Sequence, residues 1–383
     1  PVLAILIFAI IVASATLVMA EDYGSVQGYV HTFNNNLNVT TGVFALNKDV
    51  SLDTSAYFKY TVDMINSSTG GGGEDDGKKV SAVSGASGIA GSGETRNELM
   101  AGFTHNFNNI IGVEAYYDYS RESDYTSNTP LITLKKDLFD KNTTLTLGLS
   151  RNMDSINGKF MNGTQDRDTN NYFFGITQLL SPVTIAQIGY SMNDSSGFES
   201  EGIRLVPLNG TSTSSCTDRS SVCADERFPN SRKRNAYIFN ISRYFADGYT
   251  EAFKKASVKL NLRYYDDSWD IRSYTGEIEY NKYLTDQLIM RLDYRYYTQT
   301  KAFFVKDRYT GAEEFLSSSP QLLKFNSNLV GAKLTYNFKD EKGFNAMDPS
   351  WLRLGSIEGK YEYYTESINV RGHVFMAGLR LLF

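Results

Sequence analysis

Between residues 255 and 383, charged side chains recur at every second position. Lys259 and Arg263 alternate with Val258, Leu260 and Leu262, and Glu277 and Glu279 alternate with Gly276, Ile278 and Tyr280. Arg291, Asp293 and Arg295 alternate with Met290, Leu292, Tyr294 and Tyr296. Lys333 stands opposite Ala332 and Leu334; Glu358, Lys360 and Glu362 stand opposite Ile357, Gly359, Tyr361 and Tyr363; Arg380 closes the set. A period of two belongs to β-strands, whose successive side chains point to opposite faces. The sheet these strands form has one ionic face and one apolar face. An ionisable group facing lipid near the middle of a bilayer costs about 2–4 kcal/mol, so in a membrane the ionic row must face a lumen. Such a row either lines an aqueous pore and sets its ion preference, or braces the inner wall as a lattice of charges paired between neighbouring strands. Its mixed sign argues against strong anion or cation selectivity.

Other chemistry is sparse. Cys216 and Cys223 are the only cysteines and lie seven positions apart. In an oxidising compartment they read as a disulfide stapling one loop, with a metal pair as the alternative, although no histidine lies near. No Cys-x-x-Cys-His occurs, so the chain does not itself attach a c-type haem. Gly72-Gly-Glu-Asp-Asp-Gly77-Lys78-Lys79 approaches a phosphate-binding loop, but it lacks the hydroxyl residue after Lys78 and no helix pattern follows. Acidic groups at Glu74-Asp75-Asp76, Asp166/Asp168 and Asp266/Asp267/Asp270 lack the spacing of a calcium loop and read as solvated loops. The three histidines do not converge with a serine and an acid: parity sends His373 outward and His31 inward at one rim, and His105 belongs to the other. We therefore expect no enzyme, no metal and no cofactor.

The elements that position these residues are short and extended. Residues 1–20, PVLAILIFAIIVASATLVMA, read as the apolar core and cleavage site of a secretory signal whose start is missing; a membrane anchor is the alternative. The mature chain should then be one domain, 21–383. Its 41% hydrophobic content excludes a helical membrane bundle, and 26 Tyr and 23 Phe against 7 Pro suit many strands with rings at an interface. Period-two segments are expected near 24–34, 38–47, 54–65, 95–107, 110–120, 129–139, 143–152 and 170–179. The second half adds 182–192, 233–245, 255–266, 272–283, 287–299, 325–338, 352–364 and 372–383. That makes about sixteen strands, with fourteen as the alternative, each near the roughly ten residues a tilted strand needs to cross a bilayer. The long connections, 66–94, 153–169, 193–232 and 300–324, all follow odd-numbered strands, whereas those after even strands are mostly brief. Outer-membrane barrels sort their loops in this way. Tyr116-Tyr117-Asp-Tyr119, Tyr264-Tyr265, Tyr294-Arg-Tyr296-Tyr297 and Tyr361-Glu-Tyr363-Tyr364 fall late in odd strands, where an aromatic girdle is expected. Phe107, Phe139, Tyr244, Phe245, Phe338, Trp351 and Phe383 fall near the opposite rim.

The last segment, Phe375 to Phe383, alternates apolar residues to its end, and Gly378, Leu381 and Phe383 resemble the assembly signal of bacterial outer-membrane barrels. Further segments resemble a family of such barrels known only as domain of unknown function 3570. They are Ser81-Ala-Val-Ser-Gly-Ala-Ser87, Glu122-Ser-Asp-Tyr-Thr-Ser127, Gly175-Ile-Thr-Gln-Leu-Leu-Ser181, Phe228-Pro-Asn-Ser-Arg232, Arg263-Tyr-Tyr-Asp-Asp-Ser-Trp-Asp270 and Arg295-Tyr-Tyr-Thr-Gln299. Gly197-Phe-Glu-Ser-Glu201 departs from the Gly-Tyr segment leading into Asp-Pro-Tyr expected there. The resemblance implies an all-β, antiparallel up-and-down transmembrane barrel in the bacterial outer membrane, and in some bacteria an association with extracytoplasmic redox or flavin-attachment systems.

The expected function is a porin-like passive channel for ions or small polar solutes. The alternative is a structural barrel that houses or anchors another envelope protein. Its expected partners are outer-membrane lipid and lipopolysaccharide, the barrel-assembly machinery and, in the alternative, that envelope protein; no feature points to nucleic acid.

Overall fold

A computed structural model describes residues 22–34, 37–67, 94–107, 110–212, 215–216, 218–247, 250–338 and 353–383. The apolar segment 1–20, the glycine-rich Gly72–Lys79, the acidic Glu74–Asp76, the segment Ser81–Ser87 and Trp351 lie outside the described residues.

Sixteen antiparallel strands close into one barrel. They are β1 (Tyr23–Phe33), β2 (Leu37–Ser51), β3 (Thr54–Ser67), β4 (Glu94–Phe107), β5 (Ile111–Arg121), β6 (Tyr125–Leu138), β7 (Thr143–Ile156), β8 (Gln165–Ser181) and β9 (Thr184–Gly197). A hairpin of β10 (Leu205–Pro207) and β11 (Cys223–Asp225) lies outside the wall. The wall resumes with β12 (Ser231–Phe245), β13 (Ala256–Asp267), β14 (Arg272–Tyr283), β15 (Leu288–Gln299), β16 (Phe325–Asn337), β17 (Arg353–Glu366) and β18 (Arg371–Leu382). Each expected segment is one of these strands, and the count is sixteen rather than fourteen. Strands β7 and β8 run further than their periodicity suggests, so the expected connection 153–169 shrinks to residues 157–164. The residues added at the start of β8, Gln165 to Thr169, are polar on both faces, which removes the alternation that marks a half-buried strand.

Side chains alternate around the wall as lipid and lumen require. Phe375 and Leu379 of β18 are exposed on the outer face, while Val374 and Met376 on the alternate row are buried within. Outside, an apolar groove of about 700 Å³ runs past Phe174, Ile188, Phe239, Leu262 and Tyr274. The expected girdle needs one correction. Its heights agree with the strand ends, but Tyr116, Tyr265, Tyr297 and Tyr364 turn inward, because adjacent residues of a strand cannot share a face. Tyr117, Tyr264, Tyr294, Tyr296 and Tyr361 remain outside.

Closure occurs between β1 and β18, in unbroken register from Tyr23↔Leu382 to Phe33↔Gly372. Asp22 locks the lower end of this seam. Its carboxylate accepts from Lys48 Nζ at 2.6 Å and from the Asp49 amide at 2.7 Å, and its carbonyl accepts from the Phe383 amide at 3.1 Å. Lys48 also lies over the Phe383 ring. Gly378 faces inward, where a Cβ would come 3.1 Å from both Gln27 and Glu358, the pair that bonds across the seam. Asp22→Ala should lower the unfolding free energy by roughly 1–3 kcal/mol, the worth of charge-assisted bonds lost with a buried lysine left behind. Denaturant unfolding of the detergent-solubilised barrel measures this, and an unchanged midpoint would mean that the backbone ladder alone holds the seam.

Candidate functional site

All twelve charged residues singled out between 255 and 383 project from the inward face of their strands. Lysines and acids pair around the wall: Lys333 with Glu358, Lys360 with Glu362 at 2.5 Å, and Arg291 with Glu279 at 3.3 Å. Lys259 sits in register with Glu279, and Arg295 in register with Glu277, whose carboxylate accepts from Asn261. Asp293 packs against Gly331, where any side chain would collide with its carboxylate. Arg380 lies 4.3 Å above the Tyr23 ring, far down the wall from the long loops.

The ionic row also continues around the first half of the barrel. Lys59 bonds Glu98 at 2.8 Å, and Arg96 bonds Glu98 and lies 3.7 Å from Asp63. Lys135 pairs with Glu114, and Arg167 with Asp154 at 2.8 Å. The signal for these was present in the alternation of Lys59 and Asp63 with Phe58, Tyr60 and Val62. Next to the Arg167–Asp154 pair, the inner face of β7 to β9 carries a run of amides in which Asn193 donates to Asn171 at 2.5 Å, Asn171 to Asn152 at 2.6 Å, and Asn152 to Thr129 at 2.9 Å.

At the end of the barrel that carries the long loops, two of them fold together. The Asn209 amide donates to the Tyr309 carbonyl at 2.8 Å, and Arg227 and Leu316 exchange backbone bonds at 3.0 and 2.9 Å. Val206, Leu208, Tyr309 and Leu316 form a small apolar core between the loops. Cys216 and Cys223 lie at the margin of this unit with their sulfurs 2.07 Å apart. A second cluster fixes the unit to the wall: Phe228, Trp269, Ile271, Ala302, Phe304, Val305 and Leu322. Its hub is Asp267, whose side chain is fully buried. The Asp267 carboxylate accepts from Arg232 at 2.5 Å, Tyr265 Oη at 2.7 Å, and the amides of Trp269 and Ile271 at 2.9 and 3.0 Å. Arg232 in turn stacks 4.2 Å over the Trp269 ring, whose Nε1 donates to the Ser231 carbonyl.

This anchorage brings residues 320–323 inward. Gln299, an inward residue of β15, donates through its amide nitrogen to the carbonyls of Gln321 and Leu323 at 2.8 and 2.7 Å. Gln321 consequently lines two cavities. One, of about 420 Å³, is bounded by β4 to β8 and carries Glu98, Asp118, Glu122, Asp124 and Glu201 against Arg96 and Arg167. The other, of about 630 Å³, is bounded by β12 to β17 and carries Arg232, Arg263 and Arg295 against the single acid Glu277, with Tyr265, Tyr297 and Tyr364. The mouth is thus divided into an acidic and a basic chamber. Nothing in the periodicity foretells this, because the dividing loop has none.

A buried carboxyl clasps the two loops. Glu226 is 5% exposed and accepts from Ser317 Oγ at 2.9 Å and the Ser318 amide at 3.1 Å. Burial, reinforced by the charge of nearby Glu201, pushes the Glu226 carboxyl up to about 7. Burial, with Glu94 beside it, also raises Asp124 on the rim of the acidic chamber.

The model of the family described as protein of unknown function (DUF3570) matches residues 14–162 and 157–374. No curated protein matches the chain. Among solved structures, a bacterial polysaccharide outer-membrane secretin is similar at 7% identity with a TM-score of 0.50, over 96% of this chain and 99% of that one. OccD3 (OpdP) of Pseudomonas aeruginosa is similar at 9% identity and a TM-score of 0.45, over 96% of this chain and 93% of that one. The siderophore receptor PirA of the same organism is similar at 9% identity and a TM-score of 0.43, over 91% of this chain but 57% of the receptor. The chain therefore spans little more than half the length of that receptor. At these identities the likeness is one of fold, that of outer-membrane β-barrels.

Asp267→Ala strands Arg232 and two buried amides, a loss of about 3–5 kcal/mol for a broken buried pair. We expect new proteolytic cleavage within residues 300–324 while the barrel itself stays folded on unheated gels. The Glu226 clasp should also respond to pH. Its closed form holds a proton that an open, solvated carboxyl releases. Closure therefore weakens as pH climbs from the ordinary value of 4.5 to about 7 and is level above. Amide exchange at Leu316 and Ser318, corrected for intrinsic rates, should quicken across that window in the wild type and stay flat in Glu226→Gln.

Proposed function

The chain belongs to the DUF3570 family, and we propose that it is a passive channel of the bacterial outer membrane for small polar solutes, narrowed at its mouth by an inward-folded loop. The observation that carries this reading is the pair of chambers flanking Gln321, which open onto a wall that is polar and ionic around its circumference. A barrel built only as a scaffold gains nothing from keeping ionisable groups beside a hydrated space, since replacing buried ion pairs with apolar residues is often neutral or stabilising. Pairing along the wall leaves little net charge at mid-height, which supports weak ion selectivity there. Discrimination instead belongs to the mouth, where the two signs are segregated.

A second reading, a barrel that houses or anchors another envelope protein, draws on the cap formed by residues 198–212, 218–230 and 300–324, a folded surface with its own apolar core. The experiment that separates the two is single-channel recording in planar bilayers. The wild-type barrel should conduct in small, steady steps. Asp267→Ala, by releasing residues 320–323 from the lumen, should raise the unit conductance severalfold. A barrel that inserts and never conducts overturns the channel reading. Co-purification of a stoichiometric partner from native membranes would then favour the second.

A further inference from the structure

The acidic chamber contains more carboxylates than its own cations answer. Arg96 is bound to Glu98 and lies close to Asp63, and Arg167 is held by Asp154 through two hydrogen bonds at 2.8 and 3.0 Å. Both guanidinium groups are thereby neutralised within the wall. Asp118 and Asp124 are left. Each has a carboxylate oxygen that is buried and accepts no hydrogen bond, and both line the same 420 Å³ chamber. Asp124 as a whole is only 9% exposed, so water does little to solvate it.

A buried carboxylate without a donor is costly, and a structure retains one where a donor arrives from elsewhere. The form of that donor follows from the surroundings. Among the described residues no group of three His, Cys or acidic side chains is arranged to hold a metal ion. The chamber is also far larger than one coordination sphere, and its remaining lining includes the hydroxyls of Ser120 and Thr129 and the amide of Asn152. Those groups suit the polar body of a small molecule. The free oxygens suit an ammonium or guanidinium, which brings several N–H donors and a positive charge. Across Gln321 the other chamber is less favourable to the same charge, because Arg263 and Arg295 line it with Glu277 as the one acid of its lining.

We propose that the chamber bounded by β4 to β8 is a binding site for a small organic dication, one cationic end of which donates to Asp118 near mid-strand and the other to Asp124 at the β5–β6 turn. The proposal deepens the channel reading by naming what the mouth selects, and it relies on that reading only for delivery of the ligand to the mouth.

Isothermal titration of the purified full chain in detergent, with agmatine as probe and succinate as the anionic control, tests it. Agmatine should bind saturably and succinate should not. The double variant Asp118→Asn/Asp124→Asn should weaken agmatine binding by at least about tenfold. Asp286→Asn, at the opposite rim, should leave it unchanged. Migration on unheated gels confirms that each variant is folded, and Asp124→Asn alone serves if the double variant is not. Wild-type protein that binds no agmatine, or a folded variant that binds it within about twofold of wild type, overturns the site. Conduction separates the two readings: a barrel that conducts without binding agmatine loses only this site, and one that binds without conducting loses only the channel.

Discussion

Every part of this molecule depends on the closure of one sheet. A strand has unpaired amides and carbonyls along both edges, and in hydrocarbon each unpaired group costs several kcal/mol. Sixteen strands satisfy this by returning to their start, so β18 completes β1. Closure then dictates which side chains meet lipid and which meet the lumen, since the period of a strand allows no third choice. The residues that complete the seam are consistent with this: Asp22 ties the second and last strands together where the ladder ends.

Charge pairing on the lumen wall differs with position along the barrel. At mid-height most charges have partners on the next strand, as in Lys333–Glu358 and Arg291–Glu279, and these brace the wall. At the mouth the pairing is incomplete, and what is left has a different sign on each side of Gln321. Opposed signs on the two sides of the mouth create a transverse field there. Beyond the Arg167–Asp154 pair, the inner face of β7 to β9 contributes a row of amides and hydroxyls.

Several of the segments through which the sequence resembles its family meet at the cap. Phe228 and Arg232 pack on Trp269, Asp267 gathers donors from both sides, and Gln299 holds residues 321 and 323 inward. Glu122–Ser127 contributes Asp124 to the acidic chamber and Ser127, which donates to Asp154 at 2.7 Å. These residues sit at strand ends and corners, where the backbone leaves the ladder and its polar groups need side-chain partners. Their local chemistry is therefore specific in a way that a lipid-facing leucine is not.

The sequence by itself determined where the strands lie and narrowed their number to sixteen or fourteen; closure of the barrel decided on sixteen. Alternation such as Lys259–Val258–Leu260 or Phe375–Ala377–Leu379 is a local consequence of having lipid on one face and water on the other. It also determined that the charged residues from Lys259 to Arg380 share one face. The tertiary structure alone decided which of those charges are neutralised, because Lys59, Arg96 and Glu98 meet through register between strands some forty residues apart in the chain. It alone decided that residues 300–324 enter the mouth and split it. An irregular loop carries no period. Its path is set by distant partners, Arg232, Asp267, Trp269 and Gln299, that only the closed barrel brings together.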